Sequence, residues 1–416
     1  MNRSNERCVT NHSGVWTELI ALCLDMLRTL PEHPEIRLLN FWTYRGGGKT
    51  TFLHHLKAAL TVPEVALVGL WDAAVSEVQQ VIQEILCAVE MSSHTKKVVL
   101  LDNLDNWLRA GDGESFFEFE RQLVLPLLER RDVLLITTAQ IPVHQWREYD
   151  VRIHQENHLI RALNKAEVTH LTETWALDAN WLFEQSLGYL QILCWLQQEP
   201  HLSEEALAQR IADYFLSAFS PMVRELAAVA ALLPSFDVAV LRDVLPAEEQ
   251  ETPEGLYAVY IDRIRELIAA GLVAWDMRMG AYHFPNATLR RLLARSFQIC
   301  HRENFTRVHE RAMLYYQAEA RRPGYLHYTL VSALYHMASF QSAQADGDVG
   351  GSCKRWVQDH ISLWAGADWP AVLQAWQSGA GDKTVNEELQ ALLGVEVVDE
   401  ITQMLTAAQQ GMEVTQ

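Results

Sequence analysis

Lys49, Thr50 and Asp102 are the residues whose types and spacing point most directly to chemistry. Lys49 and Thr50 follow three glycines, Gly46, Gly47 and Gly48, in the stretch RLLNFWTYRGGGKTTFL. The glycines let the backbone curl so that successive N–H groups point inward. Lys49 adds a positive charge, Thr50 a hydroxyl for Mg²⁺, and the helix opening at Lys49, Thr50 and Thr51 its N-terminal dipole. Together these cradle a triphosphate. A surface glycine loop before a helix is the plainer alternative. The pattern also asks for a glycine five places before Gly48, where Thr43 stands.

Asp102 belongs to a second signal, VVLLDNLD at 98–105. Four apolar residues make a buried strand and push Asp102 out at its C-terminal end. In an open parallel sheet that edge is the ligand crevice, and a carboxylate there holds Mg²⁺ beside the Thr50 hydroxyl. Many ATPases place a carboxylate directly after this aspartate to orient the attacking water. Here the residue is Asn103, which cannot act as a base, so slow or absent hydrolysis is expected. Asp105 is the nearest alternative carboxylate, with a helix N-cap or surface charge as its competing role. A third signal is LLITTAQ, where Thr137, Thr138 and Gln140 end a strand and a polar side chain such as Thr138 would sense a γ-phosphate, with plain strand-end polarity as the equal alternative.

Elements must position these groups. The spacing predicts a helix over 15–30, a strand into the glycine loop, a helix over 49–60, a strand at 65–71 and a helix at 75–90. Strands follow at about 97–102 and 132–140, with a helix near 114–130 between them, and a short fifth strand at 150–155. Alternating strands and helices imply a parallel sheet covered on both faces. After about residue 160 helices dominate. Residues 221–298 read as three helices and a hairpin turning near 278–280, then a further helix, which is a winged-helix arrangement. The fold class expected is therefore an α/β P-loop NTPase domain followed by helical, winged-helix and C-terminal α-helical domains. The domains fall at 1–164, 165–220, 221–300 and 301–416, with a loop at 344–354.

Composition narrows the classes. At 416 residues the chain exceeds one ordinary core. A net charge of −19 opposes broad adhesion to nucleic acid, leaving only a local basic face such as Arg290, Arg291 and Arg295, for which a solvated helix face is the plainer reading. Six scattered cysteines without C-x-x-C spacing suggest a reducing compartment, and the N-terminus shows no apolar signal region. No apolar run approaches the ~18 residues a membrane helix needs. A soluble cytoplasmic protein is expected. His54 and His55 read as packing and surface residues, and the thirteen tryptophans as core or interface residues.

The order of these elements resembles the STAND class of P-loop NTPases, the signalling ATPases that include NB-ARC and NACHT proteins. The resemblance spans roughly residues 15–340. It is carried by YRGGGKTTFL, VVLLDNLDNW, LLITTAQ with Trp146 and Arg147 beyond it, LNKAEVTHL, SLGYLQIL and the unit ending YHFPNATLRRLL. It implies ATP or ADP with Mg²⁺ as cofactors, Lys49 and Thr50 at the phosphate and metal positions, and Asp102 as the metal-holding aspartate. It further implies a switch in which ADP holds a closed state, exchange lets the domains rotate, and the protein meets a protein partner or forms a homo-oligomer. Three departures stand out besides Thr43: Leu190 replaces a usual proline, Phe284-Pro285-Asn286 stands where relatives have a His-Asp pair, and Asn103 replaces an acid. No effector domain is recognisable, so a separate effector polypeptide is expected. Two other readings compete: an AAA+ ATPase like the origin-recognition proteins, binding DNA through its winged helix, and a degenerate scaffold that binds no nucleotide.

Overall fold

The computed structural model describes residues 16–30, 35–60, 65–109, 113–245, 253–277, 280–344, 348–378 and 383–413. Two compact units divide between Leu202 and Ser203. That boundary falls inside the expected 165–220 segment.

The first unit is built on five parallel strands: β1 (Leu38–Trp42), β2 (Val65–Asp72), β3 (Lys96–Asp102), β4 (Val133–Ala139) and β5 (Gln155–Leu159), in the order β2-β3-β4-β1-β5. β3 and β4 are apolar runs buried on both faces, as the middle of a covered parallel sheet requires. Helix α1 (Thr17–Thr29) precedes the sheet. Helix α2 (Lys49–Ala59) follows β1, and α3 (Val78–Met91) joins β2 to β3. α3 buries Val78, Val81, Ile82, Ile85 and Val89, the spacing of one helix face. The expected helix near 114–130 is present but interrupted: Glu114–Phe119 and Leu125–Glu129 flank a π-helical turn at Glu120–Val124. The fully buried Glu120 carboxylate accepts from the backbone N–H groups of Arg147 and Glu148 at 3.1 and 2.8 Å, fixing the chain beyond β4.

The fifth strand differs from expectation. Tyr149–Ile153 is a helix, and the strand starts at Gln155. Val151 and Ile153 suggest a strand by composition, yet only Val151 is buried. The true strand, QENHL, is a polar edge strand whose Cα partners lie on β1 alone.

The second unit opens with the helix Glu204–Leu216. Helices Pro221–Leu232, Val238–Val244 and Pro253–Ala269 follow, then a two-stranded antiparallel hairpin, β6 (Ala274–Asp276) and β7 (Ala281–His283), and the helix Ala287–Cys300. A bridge between Phe236, in the segment before the helix Val238–Val244, and Tyr282 ties that segment to the hairpin, completing a winged-helix arrangement. Arg278 and Met279, at the expected turn, lie outside the described residues. Beyond this the chain is helical. Leu326–Ser342 is buried almost all round and is the hub of a bundle whose core includes Leu334, Trp364, Val372 and Leu389. The expected loop at 344–354 is shorter than predicted. Asp348 caps a helix that starts at Val349, accepting from Gly351 N at 2.9 Å. Among the described residues no single helix is long and apolar enough to cross a membrane.

Candidate functional site

β1 delivers the chain to the glycine loop at the C-terminal edge of the sheet. Gly46 and Gly48 adopt φ of 79° and 102°, which side chains resist. Thr43 is not in that left-handed region, so no glycine is required there. Instead the Thr43 side chain packs on Gly47, where an added Cβ would lie 2.4 Å from its Oγ1. Gly47→Ala is therefore expected to cost roughly 1–3 kcal/mol by overpacking, read as a lower melting temperature. Thr43→Gly in the same chain is expected to recover most of it.

Helix α2 begins at Lys49 with Gly48 at its N-cap and no side-chain cap. Its first N–H groups and its dipole are thus directed at the crevice without a protein acceptor from a cap. Phe52, Leu53 and Leu56 hold it against the sheet. Lys49 is 7% exposed, and its Nζ donates to the Thr43 carbonyl at 3.0 Å, closing the loop over its own backbone. Thr51 lies half-buried in the first turn.

Thr50 Oγ1 donates to Asp102 Oδ2 at 2.5 Å. Thr138 Oγ1, one strand over on β4, donates to Asp102 Oδ1. The strand order explains this meeting: β4 lies between the strand that carries the loop and the strand that carries Asp102. Asp102 is 3% exposed, and burial holds its carboxyl above the usual range, against the pull of Thr138, Thr50 and Lys49, with Asp72 adding to the rise. A desolvated carboxylate short of positive charge, beside an alcohol and a lysine, is a donor set of hard oxygens that suits Mg²⁺. Thr50 and Asp102 would hold the ion. When bound it would neutralise phosphate charge.

Asp105 is placed elsewhere. It is 1% exposed, and its Oδ1 accepts from Gln140 N at 3.1 Å, tying the turn after β3 to the end of β4. Its carboxylate anchors the end of β4, which is neither the helix N-cap nor the surface charge the sequence set beside catalysis. Thr137 is buried and donates to Asn40 Oδ1 at 3.1 Å, inside the sheet rather than at its edge. Two contributors were missed. Asp72, at the end of β2 and in register with Asp102, accepts from Asn103 Nδ2 at 3.0 Å. Trp16, 1% exposed, packs edge-on to Phe52 and His55, and its ring would lie 2.7 Å from a Cβ at Gly48. A polar residue ending the predicted second strand was the available signal for Asp72. Trp16 carried none.

The segment SLGYLQIL supports the loop from the other side. Tyr189 Oη donates to the carbonyls of Tyr44 and Arg45 at 3.2 and 2.9 Å, and Gln191 N donates to Gly46 O at 3.0 Å. A parallel sheet in this order, with a glycine loop and uncapped helix after β1 and a threonine–aspartate bridge from that helix to β3, decides the fold. The first unit has the P-loop NTPase fold.

No family model matches the chain, and no curated protein does. Solved structures similar to it include the Aeropyrum pernix ORC2 protein in ADPNP–ADP complexes. That structure is 14% identical with a TM-score of 0.39, covering 69% of this chain and 93% of that one. The Aeropyrum pernix ORC1 protein in complex with DNA is 12% identical, TM-score 0.33, covering 67% and 92%. Drosophila ORC bound to DNA is 13% identical, TM-score 0.33, covering 70% and 95%. Likeness at these scores carries no function to this chain.

Of the three arginines after the wing only Arg290 is buried, while Arg291 and Arg295 are partly exposed and lie beside acids. Arg290 is 1% exposed and paired with Glu388. Arg291 lies 3.6 Å from the same carboxylate, and Arg295 is 2.6 Å from Glu204.

Proposed function

We propose that this chain is a nucleotide-dependent switch. It binds ATP or ADP with Mg²⁺ at the edge of the first unit, hydrolyses ATP slowly or not at all, and passes its nucleotide state to a protein partner or to further copies of itself. The carrying observation is the bridge from Thr50 through Asp102 to Thr138, set beside Lys49 and the uncapped start of α2. A vestigial loop has no reason to keep a buried carboxylate poised between two hydroxyls and a lysine, because desolvating it is costly. The ties from Tyr189 and Gln191 to the loop carbonyls supply a route by which a change at the phosphates reaches the following helix, Leu190–Gln198. The ion pairs that occupy Arg290, Arg291 and Arg295 weigh against DNA binding through that helix, so the signalling reading is preferred to the origin-recognition one.

The test is to denature the purified protein and identify any released nucleotide by chromatography, with ATP binding followed by calorimetry with and without Mg²⁺. Released ADP or ATP, or Mg²⁺-dependent ATP binding, is expected from the wild type. Lys49→Ala is expected to weaken binding at least about tenfold, since a buried charge-assisted phosphate contact is worth roughly 1.5–3 kcal/mol. No nucleotide released and none bound would leave a scaffold. Tight, salt-sensitive DNA binding in a gel shift would overturn the preference for signalling.

A further inference from the structure

The second unit holds a cavity of its own. Its volume is about 360 Å³, within the range that takes a small organic molecule. The helices Glu204–Leu216, Pro221–Leu232, Val238–Val244, Ala287–Cys300 and Arg302–Glu319 all contribute walls. Leu216, Val229, Leu293 and Phe297 give it a buried apolar lining. Four charged residues also line it: Asp213, Arg224, Glu225 and Arg307. All four are exposed, so they stand where the cavity meets solvent. The two arginines are held in place by neutral acceptors. Arg224 Nε donates to Phe219 O at 2.8 Å, and its Nη2 to Ser217 O at 2.9 Å. Arg307 Nη2 donates to Asn304 Oδ1 at 2.8 Å. Among the described residues no carboxylate pairs with either guanidinium. Elsewhere in this unit Arg290, Arg291 and Arg295 each lie beside an acid. These bonds orient Arg224 and Arg307 without neutralising them. Of the acids, Asp213 Oδ1 already accepts from Gln209 Nε2 at 3.0 Å on its own helix. Cys300 is a further wall residue, and burial, then Asp213 and Glu205, pushes its thiol up. It stays protonated and offers no nucleophile.

We propose that this cavity is a binding site for a small organic carboxylate, whose apolar body fills the space lined by Leu216, Val229, Leu293 and Phe297 and whose charged end meets Arg224 and Arg307. A guanidinium presents its N–H groups as a planar fork that matches a carboxylate. Its attraction is greatest where no protein acid has already met it. The apolar body supplies affinity through the area it removes from water, and the arginines supply the choice of head group. A ligand seated there touches five helices, so its binding stiffens the winged-helix part of the second unit as one piece. The site takes no part in nucleotide binding by the first unit and stands or falls separately from it.

The test uses the full chain without nucleotide and a set of probes that share one apolar body: naphthylacetate, naphthylethanol and naphthylethylammonium. Calorimetry and thermal melting are run with each on wild type, Arg307→Gln and Ala228→Phe. Naphthylacetate is expected to bind the wild type at least about tenfold more tightly than the alcohol, the worth of a charge-assisted contact. It is also expected to raise the melting temperature, and the ammonium to bind no better than the alcohol. Arg307 is exposed, so Arg307→Gln should melt like the wild type in the absence of probe. It should lose most of the preference for the acid while its affinity for the alcohol, set by apolar burial, stays within about twofold. Ala228 is a half-buried wall residue, and Ala228→Phe places a ring in the cavity, so binding of every probe is expected to fall. Should Ala228→Phe not fold, Arg307→Gln decides alone. The proposal is overturned if no probe binds, if acid and alcohol bind alike, if the ammonium binds most tightly, if Arg307→Gln keeps the full preference, or if a folded Ala228→Phe binds as the wild type does.

Discussion

Gly188→Ala is expected to destabilise the first unit by roughly 4 kcal/mol and to weaken nucleotide binding with it. Gly188 has φ of 74°, and it follows Leu187, also left-handed at 48°. The two turn the chain sharply between the helices Ala179–Ser186 and Leu190–Gln198. Leu163 N donates to Gly188 O at 3.0 Å, and Gly188 N donates to Ser186 Oγ at 3.0 Å. An added Cβ would sit 1.8 Å from the Leu163 carbonyl oxygen, a backbone atom that cannot rotate aside. Relief requires the turn to move. Moving it displaces Tyr189 and Gln191, which hold the carbonyls of Tyr44, Arg45 and Gly46. Gly113→Ala is the control. Its φ is 66°, but nothing lies within 4 Å of the added Cβ. It should cost only the left-handed penalty, about 1–2 kcal/mol. The pair is read by thermal melting and by calorimetry with ATP·Mg²⁺. Equal melting temperatures for the two variants would show that the Leu163 contact is not tight.

The sheet and the cradle were legible because their determinants are local. A buried apolar run of four residues ahead of Asp102, three glycines ahead of Lys49, and a strand ending in Thr138 each declare themselves within ten residues. The helix Tyr149–Ile153 and the strand after it were misassigned because an edge strand such as QENHL has little apolar content, and its partner on β1 decides its state. Asp105 was ambiguous because an acid after a strand end can act on water, cap a helix or lie on the surface, and its bond to Gln140 N arises only in the fold. The Asp72–Asn103 pair was invisible because register between strands 31 residues apart creates it. The fate of Arg290 was equally hidden, since the Glu388 that buries it lies 98 residues away. A run such as RRLLAR looks the same whether its arginines face water or an acid in another helix.

The second unit is expected to lose about 4 kcal/mol of stability between pH 7.5 and pH 5. The source is a histidine pair inside the helical bundle. His309, on the helix Arg302–Glu319, and His336, on Leu326–Ser342, are 1% and 0% exposed, with their Nδ1 atoms 2.8 Å apart. Tyr316 stacks on His336, and Phe305 packs on His309. Burial, then the Arg290 charge, pushes His309 down to about 3. Burial, then His309 and Arg290, holds His336 well below its ordinary value. One ring donates to the other, and burial beside Arg290 keeps both neutral in the fold, since protonating either would place a desolvated cation near that charge. In the unfolded chain both titrate near pH 6.5. Below that pH the unfolded state binds more protons, so stability is fully present above about 6.5 and is lost as pH falls towards the folded values. For each ring the loss from pH 7.5 to 5 is about 2 kcal/mol. Chemical denaturation of the full chain, followed by the tryptophan signal of the bundle, measures it. His309→Asn with His336→Asn removes the titrating groups. That variant will differ in absolute stability, but its slope with pH over this range should flatten by most of the 4 kcal/mol. A wild-type curve level across this range, or a variant that keeps the full slope, would mean that the rings are reached by water and are not held neutral by burial.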